Sequence, residues 1–100
     1  MKEKIIITNV LCYEKEGISN TRITYLLVGK DRLANNSKFK GFTEITSFIK
    51  GDKCFNSITL EMIGKPLDAL FESKPDYQNP LNVRNFLTSI DYNGSTIDLL

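Results

Sequence analysis

The chain has 100 residues, 41% hydrophobic and 25% charged, with 13 basic and 12 acidic side chains and a net charge of +1. That make-up fits one globular domain over residues 1–100, able to bury a core without staples; it excludes a disordered segment, a polycationic coat and an acidic tail. Histidine is absent and cysteine occurs twice, which excludes a Ser/His or Cys/His catalytic pair, an imidazole metal ligand and an all-cysteine zinc site.

Residues 4–13 are rich in β-branched side chains and too short for a typical helix, so they read as a strand. Gly17, Ser19 and Asn20 mark a turn across residues 14–20. Residues 21–28 read as a second strand, with Ile23, Tyr25 and Leu27 on one face and Arg22, Thr24, Leu26 and Val28 on the other. The two strands make a hairpin with a long tip. Residues 30–41 are polar and read as a loop. Residues 42–49 alternate again, with Ile45 and Ile49 on one side and Phe42, Glu44, Thr46 and Phe48 on the other.

The middle of the chain carries two readings. Asn56 or Ser57 as N-cap, Gly64 as the C′ residue and Pro66 just beyond bound a two-turn helix over residues 57–63. A strand at 58–63 competes. Residues 67–72 place Leu67, Ala69 and Phe71 against Asp68, Leu70 and Glu72, which predicts a strand. A short helix opening at Pro66 is the competitor there. Residues 74–80 form a loop. Residues 83–92 form a strand, with Arg84, Phe86, Thr88 and Ile90 alternating against Asn85, Leu87 and Ser89. Asn93-Gly94 is the strongest hairpin signal in the chain and leads into a short final strand.

Three strands, a short helix, a strand and a closing hairpin predict a mainly-β domain. The fold expected is a small five-stranded OB-like barrel with one short helix between strands 3 and 4; the alternative is a two-layer α+β sandwich. The overall length, the hairpin of residues 5–28 and the closing run Phe86-Leu87-Thr88-Ser89-Ile90-Asp91-Tyr92-Asn93-Gly94 resemble the small OB-fold single-stranded-DNA-binding proteins of phages and plasmids. The likeness covers most of the chain and rests on pattern, not on a motif. It implies a cytoplasmic protein that coats or handles single strands during replication or transfer of a mobile element.

Such proteins need a positive groove, and a net charge of +1 argues against one. The charge is unevenly placed, however. Residues 1–53 hold ten basic against six acidic side chains, net +4, and residues 54–100 hold three against six, net −3. Screening confines a charge's field to about 10 Å at 0.1 M salt, so a local basic surface attracts phosphates whatever the total. The richest stretch interleaves Lys38, Lys40, Lys50 and Lys53 with Phe39, Phe42 and Phe48, the mixture that single-strand binding uses: lysines replace counterions and aromatic faces stack on bases. The nucleic-acid-binding residues expected are Arg22, Lys30, Arg32, Lys38, Phe39, Lys40, Phe42, Phe48, Lys50 and Tyr77, with the turn after the first strand and the loop around Tyr77 flanking the surface. Against this, phenylalanine is most often a core residue and lysine most often plain solvated surface.

Other chemistry is poorly supported. The carboxylate pairs Glu14/Glu16 and Asp68/Glu72 have no placed nucleophile, and the six glycines are scattered. Asp91-Tyr92-Asn93-Gly94-Ser95 is explained by its hairpin turn. The expectation is therefore not an enzyme, with no cofactor and no metal. Cys12 and Cys54 are expected to be reduced and to pack as small hydrophobes, the competitor being a disulfide or redox pair. The apolar run from Ile5 to Cys12 is too short for a signal peptide or a membrane span, so no membrane partner is expected. Two function classes remain. One is a single-strand binder. The other is an accessory, inhibitory or protein-interaction module of a phage or plasmid that works through a sheet edge or through its dipolar surface. Both allow a homodimer or higher homo-oligomer.

Overall fold

A computed structural model describes residues 2–28, 40–75 and 83–100. The chain is mainly β. Strands β1 (Lys2–Lys15), β2 (Ile18–Val28) and β3 (Phe42–Lys50) are followed by a single helical turn, α1 (Lys53–Ser57), and a 3-10 turn (Leu60–Met62); β4 (Pro66–Pro75), β5 (Val83–Tyr92) and β6 (Ser95–Asp98) complete it. All six strands join one antiparallel sheet in the order β3-β2-β1-β4-β5-β6.

The barrel does not form. The sheet is open, with β3 and β6 at its two edges and six strands instead of five. A barrel fills its interior with side chains from its own wall. Here the lid, the segment that follows β3, supplies core residues of its own: Cys54, Ile58 and Met62 join Ile5, Ile7, Ile23, Tyr25, Leu27, Leu87, Ile90 and Leu99 in one buried cluster, and Lys53 at the start of α1 donates to the Leu100 carbonyl at 2.8 Å. The second layer is also thinner than the alternative sandwich would need, since its helices run to five and three residues. Gly64 anchors the lid by donating its N–H to the Ile7 carbonyl at 2.9 Å, and Thr21, fully buried, donates its hydroxyl to the Gly51 carbonyl at 2.8 Å.

The predicted helix over 57–63 is shifted. Its first turn lies earlier, with Asp52 in the N-cap position, and the chain turns extended at Ile58 before the 3-10 turn. Gly64 is left-handed, at φ 83°, as the glycine signal required, but it ends the 3-10 turn. Residues 67–72 are strand, and Pro66 sits at the start of β4 opposite Ile6, where its missing N–H costs little. The first hairpin has no long tip: Glu16 and Gly17 alone make the turn, both at positive φ (55° and 77°), the backbone of a type I′ turn. Asn93 and Gly94 repeat that geometry (51° and 80°) in the closing hairpin.

Two bulges break the expected alternation. Thr8 is the extra residue between the pairs Ile7–Tyr25 and Asn9–Thr24, and Thr88 is the extra residue between Ser89–Leu70 and Leu87–Phe71. In each, the threonine hydroxyl donates to a carbonyl of the facing strand, Thr8 to Thr24 at 3.1 Å and Thr88 to Leu70 at 3.2 Å. The bulge in β5 puts Leu87 and Ile90 together in the core, two residues that strict alternation assigns to opposite faces.

Candidate nucleic-acid interface

The lid covers one face of the sheet. The other face, over β1, β2 and β3, is uncovered among the described residues. The β2–β3 register sets Phe48 opposite Arg22, Thr46 opposite Thr24, Glu44 opposite Leu26 and Lys50 opposite Asn20. The β1–β2 register continues those rows to Leu11, Asn9, Ile6 and Tyr13 in turn. All even-numbered side chains of β3 point outward and are exposed, while Thr43, Ile45, Ser47 and Ile49 on the inner side are half-buried. Phe48 is 68% exposed, Phe42 52% and Leu11 43%. Arg22 is exposed between Phe48 and Leu11 on its neighbouring strands.

The pattern has a simple origin. Residues two apart on a strand share a face, so a strand with Ile45 and Ile49 turned to the core must turn Phe42, Glu44, Thr46, Phe48 and Lys50 away from it. Thr24 and Thr46 meet hydroxyl to hydroxyl at 3.3 Å, so a polar row separates Phe48 from the Glu44–Leu26 row. Phe42 and Phe48, six residues apart on one strand, stand roughly 20 Å from each other.

Of the expected binding residues, the structure brings Arg22, Phe42, Phe48 and Lys50 onto this face. Lys40 is exposed just ahead of β3. Lys30, Arg32, Lys38, Phe39 and Tyr77 lie outside the described residues. The turn between β1 and β2, expected to flank the surface as a ligand loop, has only two residues and offers no such loop. Leu11, Tyr13 and Ile18 join the outer face unannounced. With Ile5 and Ile7 buried, plain alternation turns Leu11 and Tyr13 inward as well. The Thr8 bulge reverses the phase, so that Val10 packs on the core and Leu11 faces out. No signal in the sequence marks that bulge. Ile18, at 57% exposure, follows the even-numbered phase of β2.

Across the sheet the charges pair. Lys2 meets Asp91 at 3.0 Å and Lys4 meets Asp68 at 2.9 Å. The hydrogen bonds from Lys2 and from the Thr96 hydroxyl, the latter at 2.8 Å, hold the Asp91 carboxyl below the usual carboxylate range, and the same contact with Asp91 raises the Lys2 ammonium above its ordinary value. Two of the N-terminal lysines are thus engaged by acids of the C-terminal half, and the outer face of β1–β3 carries Lys15, Arg22 and Lys50 against Glu44, with Lys40 just ahead of β3. Both cysteines are free thiols; Cys54 is buried under the lid, and burial pushes its thiol up to about 11. No group of three ligating Cys, Asp or Glu side chains forms among the described residues, and no described helix is long and apolar enough to cross a membrane.

Comparison of the chain with protein-family models, with curated proteins and with solved structures finds no match. The functional reading therefore rests on this face alone.

Proposed function

We propose that the protein binds single-stranded nucleic acid, single-stranded DNA foremost, across the outer face of β1–β3, and serves the replication or transfer of a mobile element. The observation that carries this reading is Phe48, 68% exposed in mid-strand and directly opposite Arg22. A phenylalanine left in water costs the fold stability that burial would give, and an arginine beside it supplies the phosphate contact that base stacking on the ring needs. Phe42, Lys50 and Lys40 extend the same chemistry along β3. Lys30, Arg32, Lys38, Phe39 and Tyr77 belong to the proposal through their sequence alone. Stacking on an aromatic ring reads any base, so the binding is expected to be tolerant of sequence.

The test is a fluorescence titration with labelled oligo-dT over a range of salt. Affinity should fall linearly on a log–log plot with a slope of about −2 to −3, as for three or four phosphate contacts at roughly 0.7 per contact. Phe48→Ala should weaken binding by roughly ten- to a hundredfold. Absent binding, or binding that ignores salt, contradicts the proposal.

A second reading, an interaction module of a phage or plasmid, is favoured by one observation: among the described residues, β3 stands at the sheet edge over its full nine residues.

A further inference from the structure

The phase of the β2–β3 ladder determines what that edge offers. Gly51 donates its N–H to the Ser19 carbonyl at 2.9 Å, in line with the pair Lys50–Asn20. In an antiparallel ladder, hydrogen-bonded pairs alternate with non-bonded ones. Ile49, Ser47, Ile45 and Thr43 therefore exchange backbone hydrogen bonds with β2, whereas Lys50, Phe48, Thr46, Glu44 and Phe42 aim their N–H and C=O groups at an edge that is free among the described residues. Native edges are commonly blunted by a proline, a bulge or brevity. β3 has no proline and no register shift. The opposite edge, β6, is four residues long.

We infer that β3 pairs with β3 of a second copy, antiparallel about a two-fold axis at Ser47, joining two six-stranded sheets into one. Charge complementarity selects that register. It sets Glu44 opposite the partner's Lys50 twice over on the outer face, and Ile45 opposite the partner's Ile49 twice over on the inner face, where both are half-buried in the single copy. An axis one residue back, at Thr46, puts Glu44 against phenylalanine and Ile45 against serine. An axis one residue on, at Phe48, puts Glu44 against the partner's Asp52. Only the Ser47 axis matches charge with charge and isoleucine with isoleucine. It also sets Phe48 opposite the partner's Thr46, so the two Phe48 rings lie on a diagonal about 7–8 Å apart, within aromatic reach. The outer faces of the two copies then run on without a break. This inference goes beyond the single-strand reading and is tested without nucleic acid.

Sedimentation equilibrium of the full chain, from micromolar to high-micromolar concentration, should show a mass closing on twice 11.4 kDa. Glu44→Lys and Lys50→Glu should each raise the dimer dissociation constant by about tenfold or more, since each turns two attractive facing pairs into repulsive ones. The double variant Glu44→Lys/Lys50→Glu should recover the parent value. Thr46→Pro removes an N–H that points at the free edge and should give a monomer; circular dichroism reports whether it keeps its strands, and the charge variants decide the matter if it does not. A monomer at every concentration overturns the inference. So does a dimer indifferent to both charge reversals, or a mass that climbs past two copies. A monomer that still binds oligo-dT overturns this pairing and leaves the single-strand reading standing.

Discussion

At the scale of single residues, exposure separates the side chains that hold the fold from those free to act outside it. Phe71 and Tyr25 lie in the core with ring centroids 6.0 Å apart, while Phe48 stands in solvent on the same sheet. Phe48→Ala is therefore expected to change folding stability by no more than about 0.5 kcal/mol, so any loss of oligonucleotide binding in that variant does not come from unfolding. The cysteines divide in the same way. A thiol raised to about 11 by burial is almost wholly protonated at neutral pH and sealed beneath the lid. Cys12 is half-buried on β1. A thiol reagent added to the native protein at pH 7.5 should modify Cys12 and spare Cys54, and both should react in denaturant. Rapid native labelling of Cys54 would show that the lid opens readily.

At the scale of elements, most of the sheet is legible in the sequence. The alternation of Ile23, Tyr25 and Leu27, of Ile45 and Ile49, and of Leu67, Ala69 and Phe71 marks the inner face of β2, β3 and β4 correctly, because a half-buried strand must repeat every second residue. Asn93-Gly94 marks its turn because only a left-handed backbone closes so short a hairpin. What stayed hidden has physical causes too. A bulge shifts the phase through a backbone choice that any threonine tolerates, so plain alternation turns Leu11 inward and sets Leu87 on the face opposite Ile90, and the structure reverses both. The lid helix is too short for a helical period to show, and its capping signals, Asn56 and Ser57, fall inside or at the end of the turn they were expected to start. Leu99 is the clearest hidden contribution. It follows β6, is fully buried, and its N–H bonds to the Thr88 carbonyl at 2.9 Å, at the bulge of β5. Leu99→Ala should cost about 2–5 kcal/mol in denaturant unfolding, whereas Leu100→Ala, at an exposed position, should cost little. Equal effects would contradict the place of Leu99 in the core.

At the scale of the whole molecule, the near-zero net charge conceals a +4 half and a −3 half, and the fold partly joins them through Lys2–Asp91 and Lys4–Asp68. The first pair sets a pH window. Asp91 is depressed in the folded state, so its contribution is present above the ordinary carboxylate value and lost as pH falls through the depressed one. Lys2 is raised, so its contribution holds below the ordinary ammonium value and is lost as pH climbs past the raised one. The pair should therefore stabilise the fold between about pH 4 and about pH 10. Asp91→Asn should lower the melting temperature at pH 7, and the gap from the parent protein should close as the solution is acidified below that window. A gap that persists in acid would assign the effect to some other cause. With Lys2 and Lys4 so engaged, the proposed binding mode assigns phosphate contacts to Arg22 and Lys40 beside the exposed rings of β3, and to Lys50 in the single copy, where Glu44 of a second chain does not face it.

That assignment is tested most directly by one titration series, in which the parent protein and its Phe48→Ala and Arg22→Ala variants are each titrated with oligo-dT and with duplex of equal length at several salt concentrations. Binding should be tighter to the single strand than to the duplex and fall steeply with salt, the salt slope should be about 0.7 shallower for Arg22→Ala, and the loss for Phe48→Ala should be similar at every salt concentration. Equal affinity for both nucleic acids, or variants that bind as the parent does, would contradict it.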